Sequence, residues 1–181
     1  MSTRYDIQKL QSLGFVFVPS QEVILGTKYP LVCELEGRRI NETQVHKVQV
    51  SDFWIHQFCV SNHDFEQFNP QHVRPLTSER DADPVTDVTY LDALRYCDWY
   101  QKHHQIDHVS IPSESEWVSA AAPPGWEYSY KRGPKPIKEK ANVFSYGERH
   151  TLEVSDPRFG ANQYGLFHVS GNVFEITRGW Y

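Results

Sequence analysis

Residues 165–177, Gly-Leu-Phe-His-Val-Ser-Gly-Asn-Val-Phe-Glu-Ile-Thr, constrain the fold more than any other part of this chain. Gly165 and the Gly171-Asn172 pair favour left-handed backbone, and the amide of Asn172 can bond neighbouring main-chain groups. Glu175 then stands between two apolar residues. The pattern predicts a tight turn around an amide side chain, with a carboxylate on the strand that follows.

Length and charge narrow the class of protein. A chain of 181 residues suits one domain with a real core, and 39% hydrophobic with 14% aromatic residues is typical of a globular protein. A net charge of -5 gives no electrostatic reason to bind nucleic acid or an anionic membrane. The polar start does not resemble a secretory signal, and no apolar run is long enough to cross a bilayer.

Three cysteines, Cys33, Cys59 and Cys97, cannot all pair within the chain. Each stands among apolar or aromatic neighbours, so we expect buried free thiols in a reducing compartment. This predicts a cytoplasmic protein, with secretion as the alternative.

Hydrophobic periodicity predicts short strands and three helices. Residues 14–25 read as two strands broken at Pro19, and residues 45–50 run on into 53–55 as a strand pair. The helices begin near Ser61, at Thr89, and at Ser113, where Glu116 completes a capping box. The second helix carries an apolar stripe made of Leu91, Leu94, Tyr96, Cys97 and Trp99.

Two long segments lack a clean period and are predicted loops, residues 28–41 and residues 125–162. A connection as long as the second is functional or disordered in most compact domains. Because alternating βαβ units are missing, the expected class is α+β, with short antiparallel strands and long ordered loops.

Five blocks in order resemble the formylglycine-generating-enzyme (sulfatase-modifying factor) family. They are the Phe15-to-Gly26 hairpin, Val48-to-Ile55 with Cys59-Val60-Ser61-Asn62, Pro84-to-Trp99, Ile111-to-Trp117 with Ala120-Ala121, and the opening Gly165-to-Thr177 stretch. In the second block Cys59 replaces a glutamate. The resemblance implies a variant of the C-type-lectin fold over residues 14–181, incomplete at the carboxyl end, with residues 1–13 as an extension.

The resemblance also bears on catalysis. Copper-dependent members bind Cu(I) through two cysteines in a segment beyond the position matched by Trp180-Tyr181, and neither Cys33, Cys59 nor Cys97 falls there. Related sulfoxide synthases bind iron through a histidine-rich helix in a preceding domain. The nearest histidines here are His103, His104 and His108, which are expected in a solvated loop. No copper or iron site is identified, and whether the chain is an enzyme stays open.

The family's calcium sites give the predicted metal ligands. The carbonyls of Gly171 and Val173 and the carboxylate of Glu175 would form one site, in which His168 replaces an asparagine or aspartate. Asn142 with the carbonyl of Val143 would begin another. Backbone oxygens and carboxylates suit Ca²⁺. The alternative is that Asn172 and Glu175 only satisfy turn amides.

Two functions are compatible with these observations. One is a non-catalytic module, a pseudoenzyme, that binds a protein or a small ligand through its loops. The other is part of an iron- or copper-dependent oxidoreductase whose catalytic segment is missing or comes from another chain. The basic run Lys131, Arg132, Lys135, Lys138, Lys140 and the nearby Tyr128, Tyr130 and Tyr146 are candidate contacts. We also expect a protein partner or self-association through an uncovered sheet edge.

Overall fold

The computed structural model describes residues 6–26, 33–35, 38–40, 44–122, 141–143 and 149–179. The four described helices are α1 (Ile7–Ser12), α2 (Asn62–Phe68), α3 (Tyr90–His104) and α4 (Glu114–Ala121), followed by a 3₁₀ turn at Pro157–Phe159. The strands are β1 (Phe15–Val18), β2 (Gln21–Leu25), β3 (Cys33–Leu35), β4 (Arg38–Ile40), β5 (His46–Val50) and β6 (Phe53–His56). No helix of these residues is long and apolar enough to cross a membrane.

The described strands form three antiparallel pairs, β1 with β6, β2 with β5 and β3 with β4. Val18 lies opposite Phe53, and Gln21 lies opposite Val50. The predicted strands at 45–50 and 53–55 therefore exist but do not pair with each other. Each pairs with one half of the N-terminal hairpin segment, because the break after Val18 sends β1 and β2 to different sheets.

Local chemistry explains where the helices begin. Ser61 accepts from the Asp64 amide at the start of α2, while Thr89 with Asp92 and Ser113 with Glu116 form reciprocal capping boxes on α3 and α4. Helix α3 ends at Gln105, whose φ of 52° turns the chain out of the helix.

Helix α4 packs on β2 and β5, and its Ala120 joins a buried core cluster with residues of β1 and β6. Val18 and Ala120 are fully buried there with Leu166, and Val16, Phe53, Ile55, Tyr164 and Val169 surround them. The Gln21 amide donates to both the carbonyl (2.7 Å) and the hydroxyl (2.6 Å) of Ser119, which ties α4 to the sheet.

Helices α2 and α3 meet through rings. Phe65 stacks on Tyr96 at a centroid distance of 5.7 Å, and Phe68 lies 6.1 Å from Trp99. Offset and edge-on ring pairs of this kind contribute about 0.5–1.5 kcal/mol each beyond their buried area. This contact fixes the inner face of α3.

The structure confirms the α+β class and corrects three details. Leu91 and Leu94 of the predicted apolar stripe are 53% and 37% exposed, whereas Tyr96 is buried and Cys97 and Trp99 are partly buried. The predicted loop at 28–41 contains the β3–β4 hairpin. The predicted extension 1–13 carries helix α1, which packs on β1, in addition to the three helices expected.

Candidate functional site

The turn predicted at the start of residues 165–177 is present and unusually rich in left-handed backbone. Gly165, His168, Gly171 and Asn172 all have positive φ, with 87° at Gly171 and 52° at His168. Left-handed conformation costs a residue with a Cβ of the order of 1 kcal/mol, so surrounding contacts must hold His168 and Asn172 in place.

Contacts with Asn142 hold this turn. The Asn172 amide donates to the Asn142 carbonyl at 2.7 Å, and the Asn142 side chain donates to Asn172 Oδ1 at 3.1 Å. Asn172 also exchanges hydrogen bonds with the backbone of Leu152, at 2.8 and 3.1 Å. A Cβ on Gly171 would lie 2.3 Å from the Asn142 carbonyl oxygen, so only glycine fits. The Asn172 side chain thus ties the turn to Leu152 and Asn142, which lie outside it.

The predicted calcium ligands divide into two groups. Asn142 is buried and its Oδ1 atom makes no hydrogen bond with the described residues, so an oxygen suited to a hard cation is available there. Gly171 lies beside it, although its carbonyl accepts from Val173 at 3.0 Å. Glu175 points elsewhere, as its bonds to Trp117 and Cys59 indicate. Asn142 therefore offers an oxygen to calcium, whereas Glu175 would have to give up its hydrogen bonds from Trp117 and Cys59 to bind the ion. Calcium binding stays a prediction.

His168, which replaces the family's asparagine or aspartate, is 7% exposed and places Nε2 3.0 Å from the Glu153 carbonyl oxygen. Burial lowers the pKa of this imidazole and therefore favours its neutral form. The ring fills the turn and joins it to the segment around Glu153.

A cavity of about 730 Å³ lies on the other side of Glu175. Helices α2, α3 and α4, strand β6 and the segment 166–176 enclose it. Eleven of its 41 lining residues are aromatic: Phe15, Phe53, Trp54, Phe58, Phe65, Tyr96, Trp99, Tyr100, Trp117, Phe167 and Phe174. Its polar members include five carboxylates, Asp52, Asp64, Asp107, Glu116 and Glu175, three histidines, His56, His104 and His108, and the thiols of Cys59 and Cys97.

Within this cavity the Glu175 carboxyl group accepts hydrogen bonds from the Trp117 indole and the Cys59 thiol. Glu175 is exposed towards the cavity, yet the protein packed around its carboxyl group raises its pKa, a rise that the hydrogen bonds from Trp117 and Cys59 partly offset. Trp117 reaches it from α4 and Cys59 from the segment between β6 and α2. We call these three residues the Glu175 cluster.

Both described thiols on the wall are held in the protonated form. Burial and the nearby Glu175 raise the pKa of Cys59, and burial raises the pKa of Cys97 to about 11. Burial also raises the pKa of Tyr100 to about 12. Because the thiolate is both the nucleophile and the metal ligand, Cys59 and Cys97 are poor candidates for either role in this state.

A second cavity, of about 380 Å³, adjoins the first and is lined by Asn142, Thr86 and His150 among others. Val85, Val88, Val173, Phe174 and Ile176 border both cavities. Phe174 is 98% exposed on this shared rim. An aromatic side chain this exposed beside two openings is an unusual surface feature.

The other predicted site residues are separated or lie outside the described part of the chain. His104 is the last residue of α3, while His108 has a φ of 61° beyond it, so the two do not share a helical face. The residues described include no group of three or more His, Cys, Asp or Glu side chains able to hold a metal ion. Outside the described residues lie the basic run 131–140, Tyr128, Tyr130, Tyr146, Trp180 and Tyr181.

Sequence reasoning did not find the Glu175 cluster. Cys59, Trp117 and Glu175 come from three separate blocks, so nothing local joins them. The sequence held one clue to this contact, because Cys59 replaces a glutamate. A glutamate at position 59 would place a second carboxyl group against Glu175, which is unfavourable unless one of the two is protonated.

Comparison with known proteins agrees with this architecture. The family model for the sulfatase-modifying factor enzyme 1-like domain matches residues 6–181. The structure of PvdO from Pseudomonas aeruginosa superimposes with a TM-score of 0.69 at 22% identity, over 92% of this chain and 71% of that one. At this identity the likeness concerns the fold.

Similar curated proteins carry two different names. The serine/threonine-protein kinase pkn1 of Chlamydia pneumoniae is 28% identical over 171 residues, which are 81% of this chain but 26% of that protein. The formylglycine-generating enzyme of Mus musculus is 22% identical over 230 residues, 91% of this chain and 57% of that protein. The chain thus spans about a quarter of the length of the first and little more than half of the second.

Proposed function

We propose a binding function for this chain, which belongs to the sulfatase-modifying factor enzyme 1-like domain family: it takes a ligand into the aromatic cavity beside Glu175. The supporting observation is the cavity itself. Its volume of about 730 Å³ falls in the range of ligand pockets, roughly 300–1,000 Å³, and its wall combines aromatic and aliphatic side chains with carboxylates, histidines and thiols.

The state of the thiols supports binding rather than oxidation. A soft metal such as Cu(I) requires thiolate ligands, and burial keeps Cys59 and Cys97 protonated. Metal binding at this wall would have to release protons against that preference. An apolar ligand meets no such cost.

The experiment measures the binding of a neutral apolar fluorophore, N-phenyl-1-naphthylamine, to the protein. Ala93 of α3 lines the cavity, so Ala93→Trp fills part of it, whereas Lys102→Trp adds the same ring on the exposed face of α3. We expect saturable binding that weakens at least fivefold in Ala93→Trp and is unchanged in Lys102→Trp. No binding, or equal binding by all three proteins, would refute the proposal.

A second candidate, a metal-dependent oxidoreductase, is favoured by the formylglycine-generating enzymes among the relatives. Its test is incubation with Cu(I), oxygen and a cysteine-containing peptide. The binding proposal expects no aldehyde product by mass spectrometry. Product formation that depends on Cys59 or Cys97 would establish the oxidoreductase instead.

A further inference from the structure

The charges on the cavity wall are of one sign. The wall carries five carboxylates, and no lysine or arginine is among its residues, all of which belong to the described part of the chain. His104 does not compensate, because burial and the neighbouring His103 lower its pKa and favour the neutral ring. The cavity is therefore an acidic space with low-polarity walls, in which a positive charge is attracted more strongly than in open water.

Two of the five carboxylates already have a local role. Glu116 accepts from the Ser113 amide at 2.7 Å and faces Arg178 at 3.3 Å. Asp64 accepts from the Ser61 hydroxyl at 2.6 Å. Asp52 and Asp107 are exposed.

Glu175 differs from the others. Its donors, Trp117 and Cys59, are both uncharged, and among the described residues its carboxylate forms no ion pair. A carboxylate that faces a cavity without a charged partner and has a raised pKa is a candidate for a functional site.

The rings around Glu175 favour the same kind of ligand. Trp117 touches the carboxyl group itself, and Tyr96, Trp99, Tyr100 and Phe167 line the remaining wall. A cation over an aromatic face gains about 0.5–2 kcal/mol, and most when it is removed from water. Apolar parts of a ligand would bury against the same rings.

We propose that the cavity binds a small organic cation, an ammonium or amidinium group on an apolar body, with the charge at Glu175 beside Trp117. This inference rests on the proposed function and specifies its ligand class. Charge complementarity selects the cation, and the cavity volume of about 730 Å³ leaves room for a two-ring molecule. The exposed rim at Phe174 gives the ligand its entrance.

The test uses two probes of nearly the same shape, biphenyl-4-carboxamidine, which is a cation, and biphenyl-4-carboxamide, which is neutral. Binding is followed by tryptophan fluorescence in the presence of a chelator, so that calcium cannot occupy Glu175. We expect the wild-type protein to bind the cation at least tenfold more tightly than the amide.

Two isosteric variants test which carboxylate causes the preference for the cationic probe. Glu175→Gln keeps an acceptor for Trp117 and Cys59 but removes the charge, so we expect the preference for the cation to fall below threefold with the amide affinity unchanged. Glu116→Gln keeps the capping-box acceptor of α4 and should leave the tenfold preference intact.

Each other outcome overturns the inference in a distinguishable way. Equal affinities in the wild-type protein would refute the cation while leaving the cavity as a binding site. A preference that survives Glu175→Gln would place the charge recognition elsewhere. Binding of neither probe would refute this inference, and if the neutral fluorophore also failed to bind, the proposed function would fall with it.

Discussion

The Cys59 thiol donates its proton to a hydrogen bond with Glu175, although the two residues lie in separate sequence blocks. The bond gives the carboxyl group a neutral donor and the thiol an acceptor, deep in the wall of the aromatic cavity. Glu175 raises the pKa of the Cys59 thiol, because a thiolate beside a carboxylate would be repelled, whereas the hydrogen bond from Cys59 lowers the pKa of Glu175.

The first prediction concerns thiol reactivity. At pH 8 a thiol whose pKa has risen from 9.0 to about 11, as at Cys97, has about 100-fold less thiolate, and Cys59 should react still more slowly. Mass spectrometry after iodoacetamide treatment should therefore find Cys59 and Cys97 unmodified in the folded protein and fully modified in guanidinium chloride. Rapid alkylation of Cys59 in the folded protein would contradict the buried position.

A second prediction concerns Gly171. Gly171→Ala adds left-handed strain and a Cβ at 2.3 Å from the Asn142 carbonyl, which must move. Gly160 has a φ of 69° but no atom within 4 Å of its would-be Cβ, so Gly160→Ala adds the strain alone. We expect a loss of unfolding free energy in urea of about 1 kcal/mol for Gly160→Ala and about 3 kcal/mol for Gly171→Ala. Equal losses of unfolding free energy in the two variants would mean that the backbone at Asn142 moves away from the added Cβ at little cost.

The sequence foretold this turn because its signals are local. Positive φ at Gly171 and Asn172, and the caps at Thr89 and Ser113, depend on residues within a few positions. Pairing is different. Whether residues 53–56 join β5 or β1 depends on distant residues, so periodicity identified the strands without their partners.

In the candidate site too, contacts between distant residues were harder to predict than local turns. Gly171 and Asn142, which the resemblance assigns to two different calcium sites, meet in the structure, but Glu175 turns to Trp117 and Cys59. Leu91 and Leu94 show the limit for helices, since apolar spacing alone cannot tell which part of a broad stripe is covered.

A third prediction concerns acid stability. Arg74 donates to Glu66 at 2.7 Å, and together with His72 it lowers the pKa of this carboxyl from 4.5 to about 2. A carboxyl whose pKa falls on folding stabilises the protein above its unfolded pKa, and that contribution disappears as pH falls from about 4.5 to about 2. Glu66→Gln should therefore flatten the decline of melting temperature in this window. Glu79→Gln, which removes an exposed carboxylate, should leave the wild-type slope.

A fourth prediction concerns calcium at the first predicted site, formed by the carbonyls of Gly171 and Val173 and the carboxylate of Glu175. If calcium binds the folded protein there, a hundredfold excess over Kd adds about 2.7 kcal/mol, or about 5–10 °C in melting temperature for a domain of this size. We expect this rise with calcium and not with magnesium, and its loss in Glu175→Gln but not in Glu116→Gln. Identical melting curves in calcium and in chelator would contradict calcium binding at this site.

The last prediction concerns the outer edge of the β1–β6 pair. Among the described strands neither β1 nor β6 has a second neighbour, and Phe17 on β1 is 46% exposed beside Trp54. Unpaired strand edges with exposed rings recruit other strands, so we expect self-association or a protein partner at this edge. In sedimentation velocity, Phe17→Lys should shift the protein towards monomer, since a lysine on an edge strand opposes pairing. Leu91→Lys replaces an equally exposed apolar residue on α3 and should not. A compact monomer at micromolar concentration in the wild-type protein would show that the edge needs no cover.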